Sequence, residues 1–380
     1  MAEFVQSVAN QQMPPPYHFP GVTAHGFMFE VPMAAVQRYC DTYFNLGPAA
    51  ERGFAYRSIP LFPYATLMAI RYPVMISESR AHLAYNGTPF AERGYTRQNE
   101  IFVAIPLLRY GTTVQNIVLD AAIEWALPFI AVDNSTSAFS GREMLGLEKL
   151  KGEINFGADP VDPRRFFAEV TLPGWRSLDP DCRQEMLPFL SIKTGPPLGS
   201  ERDPDRRRSP WGFVGTDLGR KAVEGLAAAF TGLDTMSLGL LPTPMQVVAL
   251  KQFRDAHAVG TAVYQALVGA RSRYSNVTNL QFYNEKGVEI VFHDGGSFGE
   301  VIRAFLSPPA NTTEQAATFQ PVAVPVSAAF SFNADIDFDN MRTLHTFTAE
   351  GRKGARADRP ADDGATAPWL RPWRGFWGRA

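Results

Sequence analysis

Glycine and proline recur along the whole chain, 31 and 30 times in 380 residues. Proline removes a backbone donor and costs a helix interior about 3 kcal/mol, while glycine costs about 1 kcal/mol. Spread this evenly, they divide the sequence into short segments, which favours strands over long helices. Hydrophobic residues make up 45% of the chain and aromatics 12%. That is enough to fill a sizeable core and excludes a wholly disordered chain.

The apolar segments between the breaks read mostly as strands. Thr66–Tyr72, Ile101–Leu108, Pro128–Val132, Arg165–Thr171, Val277–Tyr283, Val288–His293 and Val322–Phe338 are of this kind. Helical spacing is seen in Val36, Tyr39, Cys40, Tyr43 and Phe44 of the segment Pro32–Phe44. Thr216 has the chemistry of a cap for a helix carrying Val223, Leu226 and Phe230. Residues 245–273 read as a second mostly helical stretch. The segment 195–212, rich in Gly, Pro, Asp and Arg, reads as an exposed loop. Residues 1–17 read as a flexible N-terminal arm, and the Arg/Trp-rich residues 351–380 as a disordered tail. Between them, 18–350 is expected to form one β-rich α+β domain.

Charge and cysteine content narrow the function. The formal net charge is −2, without the basic excess of a nucleic-acid binder. Two cysteines, Cys40 and Cys182, cannot build a disulfide framework or a cysteine-based zinc site. No secretory leader is visible, and no run approaches the roughly 18 apolar residues that span a bilayer. A soluble, cytoplasmic protein with no nucleic-acid or membrane partner is the expectation.

Lysine is scarce: only seven of the 36 basic residues are lysine. Six of them need no special explanation. Lys149 follows the apolar segment Pro128–Val132 and is flanked by Met144, Leu145, Leu147 and Leu150. An apolar wall disfavours an ammonium and makes neutral amine, the nucleophile of imine chemistry, available. Spacing alone also allows a surface lysine in a loop.

The stretch Pro128–Lys151, PFIAVDNSTSAFSGREMLGLEKLK, resembles the signature of the acetoacetate decarboxylase family, through Asp133–Asn134, Gly141–Arg142–Glu143, Gly146 and Lys149. Upstream, YTRQNEIFVAIPL resembles a second block of that family, with Glu100 four residues before Ala104–Ile105–Pro106. The resemblance implies a conical, partly closed β-barrel with flanking helices around an interior pocket. It implies Lys149 as the Schiff-base nucleophile and Glu100 as the catalytic carboxylate. Arg142, Leu147 and Leu150 are the expected substrate contacts. It further implies a β-keto acid or 2-oxo acid as substrate, decarboxylation without a cofactor or metal, and a homo-oligomer. The chain departs from the pattern at Glu148 and Leu150, which replace a proline and a second lysine. Lys151 could supply that second cation if the segment is a strand. The place of the family's N-terminal arginine is held by Val22.

Three other readings stay open. One is a pyruvate-type aldolase-dehydratase using the same lysine. Another is a serine hydrolase, because Gly295-Gly-Ser297-Phe-Gly299 matches a nucleophile elbow, with Asp335, Asp337, Asp339 and His345 downstream. The same serine and Glu300 also fit a capping box. The third is a non-catalytic relative that binds a small molecule; a solvent-directed Lys149 would favour it. The Asp335-x-Asp337-x-Asp339 pattern lacks the glycine and glutamate of a calcium loop.

Overall fold

The structure is a computed structural model that describes residues 5, 7, 8, 10, 12–60, 62–111, 121–158, 165–176, 180–197, 245–293 and 321–347. The helix expected after Thr216, the Ser297 turn, the 351–380 tail and most of the 195–212 loop lie outside these residues.

Seven strands close into a ring. In spatial order they are β1 (Tyr17–Glu30), β3 (Tyr64–Ser77), β4 (Thr96–Gly111), β5 (Ala121–Val132), β10 (Met245–Arg254), β11 (Ala262–Tyr283) and β14 (Val326–Phe338), which returns to β1. Every junction is antiparallel except β5–β10, where only Val247↔Trp125 and Val248↔Ala126 pair, in parallel. β6 (Lys149–Lys151) runs parallel to β5 further along, at Ile130–Val132. It thus occupies the side of β5 that β10 leaves. β2 (Phe54–Ser58) and β15 (Arg342–Thr346) extend the ring at β4 and β11. A second, antiparallel sheet has the order β13 (Val322–Ala323), β12 (Glu289–Phe292), β9 (Glu185–Lys193), β8 (Phe166–Gly174) and β7 (Glu153–Ala158).

Strand alternation sorts the apolar residues into two cores. On β3 and β4, Met68, Ile70, Tyr72, Phe102 and Ala104 join an interior cluster with Val22, Met28, Phe330 and Phe332. Their neighbours Leu67, Ala69, Ile101, Val103 and Ile105 face outward. These pack under the second sheet and helix α1 (Met33–Tyr43), meeting Phe189, Phe166, Val36 and Cys40. Phe129 stacks on Phe189 across this outer core with ring centroids 4.7 Å apart. Burial pushes the Cys40 thiol up to about 12, leaving it a small core side chain rather than a nucleophile.

Two features differ from the expectations above. Residues 245–273 form the β10–β11 hairpin and not a helix. Six alanines give this segment helical propensity, but each edge of β10 finds a strand partner, and tertiary pairing outweighs propensity of a few tenths of a kcal/mol per residue. The strands are also longer than the prolines and glycines suggest: β1 and β3 have 14 residues each and β4 has 16. Pro20 and Gly21 sit at a register shift in the β1–β14 ladder, with Gly21 at φ 66°. Pro73 sits at another, between Tyr72 and Met75. A bulge removes the need for the missing donor and bends the strand, as ring closure requires.

Among the described residues no helix is long and apolar enough to cross a membrane.

Candidate active site

The chain between β5 and β6 is anchored to β4 from its first residue. The Asp133 carboxylate accepts from the Asn99 backbone N–H at 2.7 Å and from its side-chain amide at 2.9 Å. Asn134 donates to Thr96 Oγ1 and to the Arg97 carbonyl. Its own oxygen caps helix α2 (Ser135–Ser140) by accepting from Ser137 N–H at 2.9 Å. A π-helical turn, Gly141–Leu145, follows and ends at Gly146 with φ 70°. A side chain at Gly146 would meet the Lys251 backbone as well as adopt a left-handed conformation. The chain then enters β6 at Lys149.

This path carries Lys149 into the ring interior. Its side chain is 9% exposed and that of Glu100, on β4, is 8% exposed. Lys149 Nζ lies 2.5 Å from Glu100 Oε2 and 3.1 Å from Ser137 Oγ. Gln98 Nε2 donates to the same Glu100 oxygen at 3.3 Å, and the Tyr72 hydroxyl is hydrogen-bonded to Glu100. Burial first, and the Glu100 charge second, hold the Tyr72 phenol well above its ordinary value, so it stays a neutral donor. Tyr274 and Tyr17 are raised by burial too, each against a serine hydrogen bond, from Ser272 and Ser140.

These groups line a cavity of about 70 Å³, room for a small organic molecule. Its remaining walls are largely apolar, including Phe19, Met75, Phe102, Leu145, Leu147 and Val247. Of the five residues expected from the sequence, Lys149, Glu100 and Leu147 meet at this cavity. Arg142 and Leu150 do not line it. Arg142 is exposed on the π turn, with Nη1 3.4 Å from the Lys149 carbonyl. Leu150 alternates to the opposite face of β6 and packs with the outer core. Lys151 is exposed, and its amine donates to the Gly152 carbonyl at 2.8 Å. Among the described residues, no three His, Cys, Asp or Glu side chains converge as a metal cluster.

Ser137, Gln98 and Tyr72 are site residues that the sequence reading missed. Gln98 is two residues from Glu100 on one strand and so shares its face. Tyr72 is its cross-strand partner on β3, which no motif reveals.

Gly141 shapes the site most directly. A Cβ there would sit 2.5 Å from Lys149 Cδ and 2.8 Å from Cε. The lysine stem is confined, so it cannot yield without moving its amine off Glu100. Gly141→Ala is expected to cost about 1–3 kcal/mol of stability, which chemical denaturation measures.

Taken together, the ring and its contents define a buried lysine–carboxylate site inside a ring of β-strands. No protein-family model and no curated protein matches the chain. Among solved structures it is similar to an acetoacetate decarboxylase from Legionella pneumophila, at 11% identity and a TM-score of 0.48, covering 90% of this chain and 92% of that one. A second acetoacetate decarboxylase structure matches at 11% identity and a TM-score of 0.48, covering 91% and 96%. The enduracididine biosynthesis enzyme MppR complexed with pyruvate matches at 14% identity and 0.45, covering 89% and 93%.

Proposed function

We propose that this protein is an imine-forming carbon–carbon lyase acting on a small carbonyl compound, with Lys149 as the nucleophile. The observation that carries the reading is the Lys149 amine, enclosed in the cavity 2.5 Å from Glu100 and 3.1 Å from Ser137. A surface lysine would have neither the enclosure nor these partners.

In this reading Glu100 takes one proton from the Lys149 ammonium, and the neutral amine adds to the carbonyl carbon. Glu100 returns that proton to the carbinolamine oxygen, which departs as water with a second proton from nitrogen. Two of the three ammonium protons thus leave in water, and the iminium keeps the third together with the positive charge. The iminium then receives the electron pair of a bond at the adjacent carbon, giving an enamine. That bond is C–C in loss of CO2 or in retro-aldol cleavage, and C–H in proton abstraction by Glu100. Protonation at carbon and hydrolysis release the product and restore Lys149. Ser137 holds the amine on its free side and supports proton transfer to the departing oxygen.

The enamine step gives a test that needs no knowledge of the natural substrate. Acetone in D2O is expected to exchange its α-protons in the presence of the protein, followed by proton NMR. Exchange no faster than buffer would overturn the proposal. Ser137→Ala is expected to slow that exchange about 10–100-fold, the usual weight of a hydrogen bond to a charged group.

A further inference from the structure

Gln98 is 4% exposed and lines the cavity, yet its Oε1 has no hydrogen-bond partner among the described residues. The other end of the same amide is committed, with Nε2 donating to Glu100 Oε2 at 3.3 Å. Turning the amide over would point its oxygen at a carboxylate, so the orientation is fixed by charge. Buried carbonyl groups of folded proteins are almost always satisfied. A lone acceptor in the wall of a ligand-sized cavity, beside a reactive amine, marks a place for a donor carried by the ligand.

Charge restricts that ligand further. Among the described residues lining the cavity, Lys149 is the one cation and Glu100 the one anion. They neutralise each other, and the iminium preserves this balance because it keeps the lysine charge. A substrate carboxylate would add a second negative charge with no cation of its own inside apolar walls. Burial of an unpaired ion is strongly disfavoured. The candidates that could have supplied a cation are elsewhere: Lys151 and Arg142 are both exposed.

We propose that the substrate is an uncharged hydroxy ketone or hydroxy aldehyde, whose hydroxyl donates to Gln98 Oε1 while its carbonyl condenses with Lys149. This rests on the imine reading and narrows it. It selects aldol-type chemistry at the lysine in place of decarboxylation.

Hydroxyacetone, acetone and pyruvate are closely matched in size and differ in the group beside the carbonyl. The test reduces the intact full-length protein with borohydride in the presence of each and measures adduct yield against concentration by mass spectrometry. Hydroxyacetone is expected to half-saturate at a concentration at least about a hundredfold below pyruvate, the scale of an unpaired buried charge. It is expected to half-saturate about tenfold below acetone, the scale of one hydrogen bond to a waiting acceptor. In Gln98→Leu the ratio between hydroxyacetone and acetone is expected to collapse toward one. Acetoacetate is expected to release CO2 no faster than in buffer.

Preferential trapping of pyruvate, or accelerated CO2 release, would overturn the substrate assignment and leave the imine reading standing. An unchanged hydroxyacetone-to-acetone ratio in Gln98→Leu would remove Gln98 from it. Adducts with none of the three would sink the imine reading itself. If Gln98→Leu fails to fold, the wild-type series still decides between charged and uncharged substrates.

Discussion

Lys149→Ala is expected to lose α-proton exchange of acetone by at least about a thousandfold, the scale on which removal of a nucleophile is felt. Neither Lys151 nor Lys251 can take over the role from its present place. Lys151 is exposed and donates to the Gly152 carbonyl, and the Lys251 amine donates to the Met144 carbonyl at 3.1 Å. Lys149→Arg is the sharper comparison. It keeps a cation opposite Glu100 but offers no amine that forms an imine. Loss of exchange in both variants assigns the chemistry to the amine itself. Retained exchange in Lys149→Arg would mean that the charge, and not the nucleophile, matters.

The second large effect is on stability. Glu100→Leu leaves the Lys149 ammonium in the cavity with Ser137 as its remaining partner among those seen. Removing one member of a buried ion pair typically costs about 3–5 kcal/mol, most of it the orphaned charge rather than the worth of the pair. Lys149→Met is expected to cost less, because Glu100 keeps its bonds from Gln98 and Tyr72. The double variant Glu100→Leu/Lys149→Met is expected to fall within about 1 kcal/mol of wild type or above it, since a packed apolar pair replaces two desolvated charges. Urea unfolding of the four proteins measures the cycle. Additive losses in the double variant would show that the two side chains do not interact as the geometry says.

Much of the fold was legible because strand alternation leaves a direct record in sequence. The apolar runs around Thr66–Tyr72 and Ile101–Leu108 are centres of β3 and β4, and α1 follows its helical spacing. What was not legible is how proline and glycine are used. They read as strand ends, whereas Pro20–Gly21 and Pro73 lie inside strands at bulges. A bulge and a turn have the same local chemistry, and only the partner strand distinguishes them. The β10–β11 hairpin was hidden for a related reason. Its alanine-rich composition records local propensity, while its structure is set by neighbours far away in the chain.

The site divides in the same way. Lys149 and Glu100 stand in recognisable blocks, and the Asp133–Asn134 pair explains itself once its bonds to β4 are seen. Arg142 and Leu150 belong to the same block but not to the cavity, because neighbours in sequence point to different faces of a turn or strand. Gln98 and Tyr72 needed the register of β3 against β4. A motif records which residues are near one another along the chain, whereas the cavity is assembled from strands that meet around the ring.

The most direct measurement of the central claim is the position of the covalent adduct. The protein is incubated separately with hydroxyacetone, acetone and pyruvate, reduced with borohydride, digested and sequenced by mass spectrometry. The added mass is predicted on Lys149, with nothing on Lys151 or Lys251. A modified Lys151 or Lys251 with an unmodified Lys149, or no adduct on any lysine, would contradict it.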